Sequence, residues 1–296
     1  MNIQKIFLYL LIPASLYFCS CQKEISSEAG ITATPNNILS DSNYLSKIYD
    51  LFPSGIGTGM DTVSIITLHY DSNKRVISMN DSNMTATGPA WQQSYTYSYS
   101  GNDSLPYLSV EIDNVGLSTN DTSIDYHFYD AAGRNLEDSI LVSVVPNSGK
   151  QIVKYSYNAG HVYGQNYKDF SGTPFLQRDT AIIDSKGDIV SNNMYDLTGG
   201  VYTIQGTAAY SYDTHLSPFS RLSNFKAHQQ FPNGETLLFE HMPFNNILSQ
   251  QEFHLWNGST FTETASYLYN TSGYPVRENS VIAGNPEVLL YNYKSL

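Results

Sequence analysis

The chain has 296 residues, with 27 acidic against 15 basic side chains and a formal charge of −12. An acidic body of this kind repels phosphate backbones and anionic headgroups, which argues against nucleic acid as a partner. Only two cysteines occur, Cys19 and Cys21, so everything beyond them lacks a disulfide, a thiolate nucleophile or a cysteine-bound zinc.

Lys5 precedes an apolar run from Ile6 to Phe18. That run is shorter than the roughly 20 residues a spanning helix needs and has the proportions of an export signal. Phe18-Cys19-Ser20-Cys21 resembles the lipobox of bacterial lipoproteins, with Phe18 where leucine is usual. The resemblance implies removal of residues 1–20 as a lipoprotein signal peptide and acylation of Cys21. Two or more acyl chains anchor a protein stably where one binds only marginally. Cleavage removes one lysine and no acid, taking the charge from −12 to −13. Gln22-Lys23-Glu24 resembles the charged signal behind the lipidated cysteine of surface-displayed Bacteroidota lipoproteins, and it equally fits the start of a solvated linker. Residues 21–40 are rich in Ser, Glu, Thr, Asn and Gly and form a flexible tether.

Residues 41–296 compose one domain. Asp41-Ser42-Asn43 can cap a short helix over 41–52, in which Tyr44, Leu45, Ile48, Leu51 and Phe52 recur at three- and four-residue steps. Pro53 and Gly55 end it. Ser54-Gly55-Ile56-Gly57-Thr58-Gly59 fits neither dinucleotide nor phosphate-loop spacing and reads as a hinge.

Beyond the hinge a short pattern recurs, an aromatic or aliphatic residue closing an alternating strand and a polar turn following it. Its leading residues stand at 70, 99, 129, 157, 183, 212 and 269, at intervals of 29, 30, 28, 26, 29 and 57. The last interval is two periods, with a degenerate copy near Phe239 to Asn246. Longer breakers lie between these turns, among them Asn80 to Pro89, Asn114 to Asp121 and Gly284 to Pro286. Each repeat is therefore a hairpin, and eight of them predict an all-β antiparallel meander of about 16 strands with the Tyr-Asp turns gathered at one end. Tyr95, Tyr97 and Tyr99 share one face and Ser94, Thr96 and Ser98 the other. Ile124, Tyr126 and Phe128 alternate with Ser123, Asp125 and His127 in the same way, predicting an apolar aromatic face and a water-facing one.

Three stretches, Tyr210-Ser211-Tyr212-Asp213 followed by Pro218-Phe219, Tyr267 to Pro275, and Tyr291-Asn292-Tyr293-Lys294, together with the lipoprotein start, resemble a Bacteroidota lipoprotein family. That family is a domain of unknown function with a porin-like fold, and the likeness covers residues 43–296. It implies a fold and an outer-membrane location, periplasmic or surface-exposed, and supplies no catalytic residues. A barrel embedded in lipid would carry its aromatics as girdles, whereas these tyrosines run along whole strands. Outside lipid, 16 strands enclose an interior too wide for their side chains to fill. An open or flattened barrel, or one plugged by the helix at 41–52, is expected.

Little points to chemistry. The seven histidines show no metal-ligand spacing and the Asp-rich turns lack the count of a calcium loop, so no metal, cofactor or catalytic residue is assigned. Trp91 and Trp256, beside the longer breakers, are the candidates for stacking on a sugar. Thr62, Ser104, Ser139 and Thr180 follow aspartate and precede an apolar residue, resembling the O-glycosylation acceptor of exported Bacteroidota proteins, a pattern that strand starts also produce. The leading expectation is a membrane-held, noncatalytic module for a glycan, peptide or envelope protein. A polysaccharide hydrolase or lyase and a structural component of an outer-membrane complex are the alternatives.

Overall fold

The computed structural model describes residues 43–53, 59–85, 88–114, 121–143, 149–158, 160–170, 173–222, 243–255 and 257–296. The expected signal peptide, Cys21 and the expected tether lie outside these residues, as do residues 54–58 of the expected hinge and 239–242 of the degenerate repeat copy. The first strands are β1 (Tyr44–Pro53), β2 (Met60–Tyr70), β3 (Val76–Thr85), β4 (Gly88–Tyr99) and β5 (Pro106–Asn114). There follow β6 (Asp121–Tyr129), β7 (Asn135–Ser143), β8 (Gly149–Asn158), β9 (His161–Phe170), β10 (Thr173–Ile183) and β11 (Ile189–Thr198). The chain finishes with β12 (Val201–Leu216), β13 (Asn245–His254), β14 (Ser259–Tyr269), β15 (Pro275–Ile282) and β16 (Asn285–Lys294). Every strand is antiparallel to its sequence neighbours, and β1 pairs with β16 to close a 16-stranded barrel.

The meander is as expected, but the ring is closed, and the helix expected over 41–52 is instead strand β1. A bulge between Leu45 and Lys47 explains both the misreading and the geometry. The extra residue breaks the two-residue alternation, so the inward side chains are Leu45, then Ile48, then Asp50. One three-residue step in a strand imitates a helical period. Leu45 and Ile48 are fully buried, and β1 supplies the last ladder, leaving no edge exposed. The proposed helical plug therefore does not exist.

Four of the tight turns share one chemistry. Asp71, Asp130, Asp184 and Asn270 each accept backbone N–H bonds from residues two and four further on, through a side-chain oxygen. The fourth turn residue has positive φ, at Lys74, Gly133, Gly187 and Gly273, a region glycine enters without strain. Arg75 and Arg134 close two of the turns by pairing with Asp71 and Asp130, and their guanidinium groups lie over Tyr99 and Tyr157.

Bulges follow these turns, and the repeated tyrosines complete them. Register shifts fall at Tyr70/Val76, Tyr99/Pro106, Tyr129/Asn135, Ile183/Ile189 and Tyr269/Pro275. Such a shift leaves a carbonyl short of its ladder partner. A tyrosine hydroxyl from the next hairpin donates to it: Tyr99 to Val76, Tyr129 to Pro106, Tyr157 to Asn135, Tyr212 to Ile189 and Tyr293 to Pro275, at 2.6 to 2.9 Å. Tyr70 reaches the carbonyl of Leu45 and Tyr267 that of Ile247 in the same manner. These rings form an inward tier around the tight-turn end, which is why the repeat carries tyrosine where phenylalanine would pack as well.

Ring closure at that end is helped by the chain between β12 and β13. Ser217 to Leu222 turns inward, and Phe219 and Leu222 pack with Leu45, Ile48, Ile66, Leu68, Met79, Tyr95 and Tyr291. Arg221 lies over Tyr274, while the Asp188 carboxylate receives the N–H groups of Phe244 and Asn245. A second core of Val153, Tyr155, Val162, Ala181, Ile189, Ala208 and Tyr210 lines the wall from β8 to β12.

Removing one tyrosine hydroxyl loses a net hydrogen bond of about 1 kcal/mol and strands a carbonyl, for a total of about 1–3 kcal/mol. Tyr99→Phe and Tyr212→Phe should each lower the thermal midpoint followed by circular dichroism, and their effects should add, since the sites are distant.

Candidate functional site

The inner wall is graded along the strands. Starting from the tight-turn end, β14 presents Tyr269, Tyr267, Ala265 and then Glu263, and β16 presents Tyr293, Tyr291, Leu289 and then Glu287. On β1 the order is Leu45, Ile48, Asp50, and on β5 it is Ser109, Glu111, Asp113. Register places these residues on one face: Asp50 opposes Leu289 and Ser64, and Glu263 opposes Gln250. On these four strands aromatic and aliphatic groups occupy the tight-turn half and carboxylates the half beyond it, while Glu278, level with Tyr267 and Leu289, and Asp138, level with His127, bring acids into the tight-turn half.

Burial and mutual repulsion push these acids upward. Asp50 rises from 3.8 to about 8 through burial, then the charge and hydrogen bond of Glu287, then Asp81 and Glu278. Glu263 rises to about 7 through burial, Glu287 and Glu252. Glu278 also rises to about 7, mainly through burial, although Tyr291 donates to it at 2.5 Å. Burial raises Glu111, helped by Asp113 and opposed by donation from Tyr95 and Gln93.

A separate polar cluster spans β5, β6 and β7. His127 Nε2 lies 3.0 Å from Ser109 Oγ, and its Nδ1 lies 2.7 Å from Asp138 Oδ1 and 3.5 Å from Asp125 Oδ2. Asn135 Nδ2 donates to both Asp138 oxygens at 2.8 Å. Burial alone would lower the His127 pKa, but the Asp138 hydrogen bond and the charges of Asp125 and Asp138 leave it raised. Asp125 is pushed up to about 7 by burial and by Asp138, with His127 opposing.

This cluster overturns the expectation for β6. Asp125 and His127 face inward, whereas Tyr126 and Phe128 are exposed on the outside, at 40% and 51%. The polarity of the two faces is thereby the reverse of that on β4, where Tyr95 and Tyr97 are buried and Thr96 is exposed. Alternation was visible in both strands, but nothing local says which set points inward.

Of the residues singled out earlier, Trp91 belongs to β4, paired with Asn83, with its side chain outside the described residues, and Trp256 lies outside them altogether. Ser104 sits exposed in the turn between β4 and β5. Thr62, Ser139 and Thr180 are half-buried within β2, β7 and β10, and the aspartates before the last two, Asp138 and Asp179, are buried. None of these brings partners into the cluster around His127.

A closed, 16-stranded antiparallel meander with an acidic inner face defines an all-β barrel of the porin-like class. The chain is similar to a porin-like protein from Bacteroides vulgatus, at 13% identity and TM-score 0.51, over 86% of this chain and 100% of that one. A porin-like protein from Bacteroides uniformis gives the same identity and score over 86% and 99%. No family model matches the chain, and a search of the curated proteins finds no match.

The raised acids set a pH dependence. A carboxyl whose folded pKa lies above its unfolded value binds protons more tightly when folded, so its stabilising contribution is full below the unfolded pKa and is lost as pH rises through the folded one. For Asp50 that window runs from 3.8 to about 8, and Asp125, Glu263 and Glu278 act within it. His127, also raised, acts in the same direction. Asp71 and Asp130, lowered by hydrogen bonds from their turns, act oppositely and at more acid pH. The thermal midpoint should therefore be higher near pH 5.5 than near pH 8.5, and Asp50→Asn should flatten the difference.

Proposed function

We propose that the protein is an envelope lipoprotein, tethered through Cys21, whose barrel is a noncatalytic interaction module that takes a basic peptide segment of a partner into its acidic half. The observation that carries this reading is the inner-wall set Asp50, Glu111, Glu263, Glu278 and Glu287. None of the five forms an ion pair with Lys or Arg among the described residues. Crowded carboxylates repel one another, and an incoming ammonium or guanidinium group removes the repulsion.

Two further features support the reading. On the outer wall, Lys154 and Arg178 stand mid-strand and exposed, and a charge on the lipid face of a membrane barrel costs about 2–4 kcal/mol at the bilayer midplane. A water-facing wall suits a barrel held to the membrane by acyl chains. The chain Ser109, His127, Asp138 has the order of a nucleophilic relay, yet Ser109 lies within a strand paired on both sides, opposite Tyr97 and Asp125. Its neighbouring N–H groups are committed to the ladders, so no pair of them is available to stabilise an oxyanion.

A labelled Lys/Arg-rich peptide should bind the purified protein with fluorescence anisotropy that falls steeply as salt rises from about 50 to about 300 mM. Glu263→Gln with Glu287→Gln should weaken it about tenfold, equivalent to about 1.4 kcal/mol. Salt-independent binding, or none, overturns the basic partner, and neutral-glycan binding abolished by Trp91→Ala and Trp256→Ala replaces it with a sugar. Separately, Cys21→Ala should release an intact soluble β protein, and a variant that still needs detergent would return the barrel to the bilayer.

A further inference from the structure

We infer that Asp125, His127 and Asp138 form a mononuclear site for a divalent transition-metal cation, of zinc or manganese type, on the inner wall of the barrel. One nitrogen and two carboxylate oxygens from these residues lie within 4.8 Å of one another. A single ion bonded at about 2.0–2.2 Å holds its donors roughly 3 to 3.6 Å apart. The Nδ1 to Asp125 separation of 3.5 Å already meets this, and the 2.7 Å contact of Nδ1 with Asp138 needs only a small opening. One imidazole with two carboxylates is a donor set that suits zinc and manganese.

An orphaned oxygen within the cluster points to a missing ligand. Asp125 Oδ1 is buried and has no hydrogen-bond partner. Asn135 is only 6% exposed and adjoins the cluster through its bonds to Asp138. A cation bound there would satisfy Asp125 Oδ1, since a buried acceptor without a partner is unfavourable. Charge agrees with this, since two carboxylates face one imidazole.

The surroundings also fit a metal site. With Nε2 protonated and donating to the Ser109 hydroxyl, the Nδ1 lone pair faces the two carboxylates. This is the tautomer control that an outer partner gives a ligating histidine. Asn135 fixes Asp138 in turn. His127 and Asp138 are buried, while the Asp125 side chain is 16% exposed, so the ion enters past Asp125. Uptake exchanges the cation for the proton shared between Nδ1 and Asp138, and that proton leaves to solvent. The site is independent of any basic partner, because a peptide can bind the Glu263 and Glu287 region whether or not a metal is present.

The full chain, purified in detergent and stripped with chelator, is dialysed against Zn²⁺ or Mn²⁺ and its metal measured by mass spectrometry, with Co²⁺ absorption as a report on ligand type. The expected result is one equivalent per chain, with proton release on binding. It should be lost in His127→Gln and in Asp125→Asn, weakened about tenfold in Ser109→Ala, and unchanged in Glu263→Gln. Circular dichroism checks each fold, and Asp125→Asn decides the matter if His127→Gln misfolds. Failure of the parent chain to hold metal overturns the inference. So does metal retained in both ligand variants, or lost only in Glu263→Gln, which would place the cation among the other lumen acids.

Discussion

Ring width is the constraint on which the rest of this structure depends. Sixteen strands closed edge to edge satisfy every ladder but enclose more space than their own side chains can fill. The molecule answers differently at its two ends. Near the tight turns, two-ring-deep tyrosines and the inward segment from Ser217 to Leu222 pack the interior. Beyond them the wall turns to carboxylates and amides, and Asp50 there keeps a buried oxygen with no hydrogen-bond partner. Apolar packing thus gathers toward one end of the barrel, although Glu278 and the cluster around His127 keep polar groups there too.

The tyrosine tier ties this packing to the backbone. Each bulge aims the start of a strand and frees a carbonyl, and each hydroxyl from the following hairpin takes that carbonyl up, as Tyr129 does for Pro106. One residue type therefore fills space, satisfies the backbone and links successive hairpins. Its reach across about one repeat explains why the period of tyrosine and the period of the hairpins coincide.

Much of this was legible in the sequence. Spacing of the Tyr-Asp turns predicted a meander of about the observed size, because a turn needing αL geometry and an Asx acceptor leaves a local mark. The mistakes have equally physical origins. A bulge at the head of β1 inserted a three-residue step, and the strand read as a helix. Alternation cannot distinguish inside from outside, so β6 was assigned the wrong wet face. The cluster around His127 was hidden because its members sit on three strands, at positions 109, 125, 127, 135 and 138, and meet only through register. Closure of the ring depended on the partnership of the first and last strands, which no local pattern reports.

That last partnership governs how the protein can be made. Tyr44 lies opposite Lys294, so the contact that completes the fold joins residues almost a full domain apart in sequence. Until β16 arrives, β1 and the growing end of the meander both present bare edges, and edges of this kind recruit other strands. Contacts of such separation also form slowly, since loop-closure entropy is lost before the ladder compensates. Assembly is consequently a race between the last hairpin and intermolecular pairing, and its outcome rests on keeping the nascent sheet apart from its copies until the ends meet.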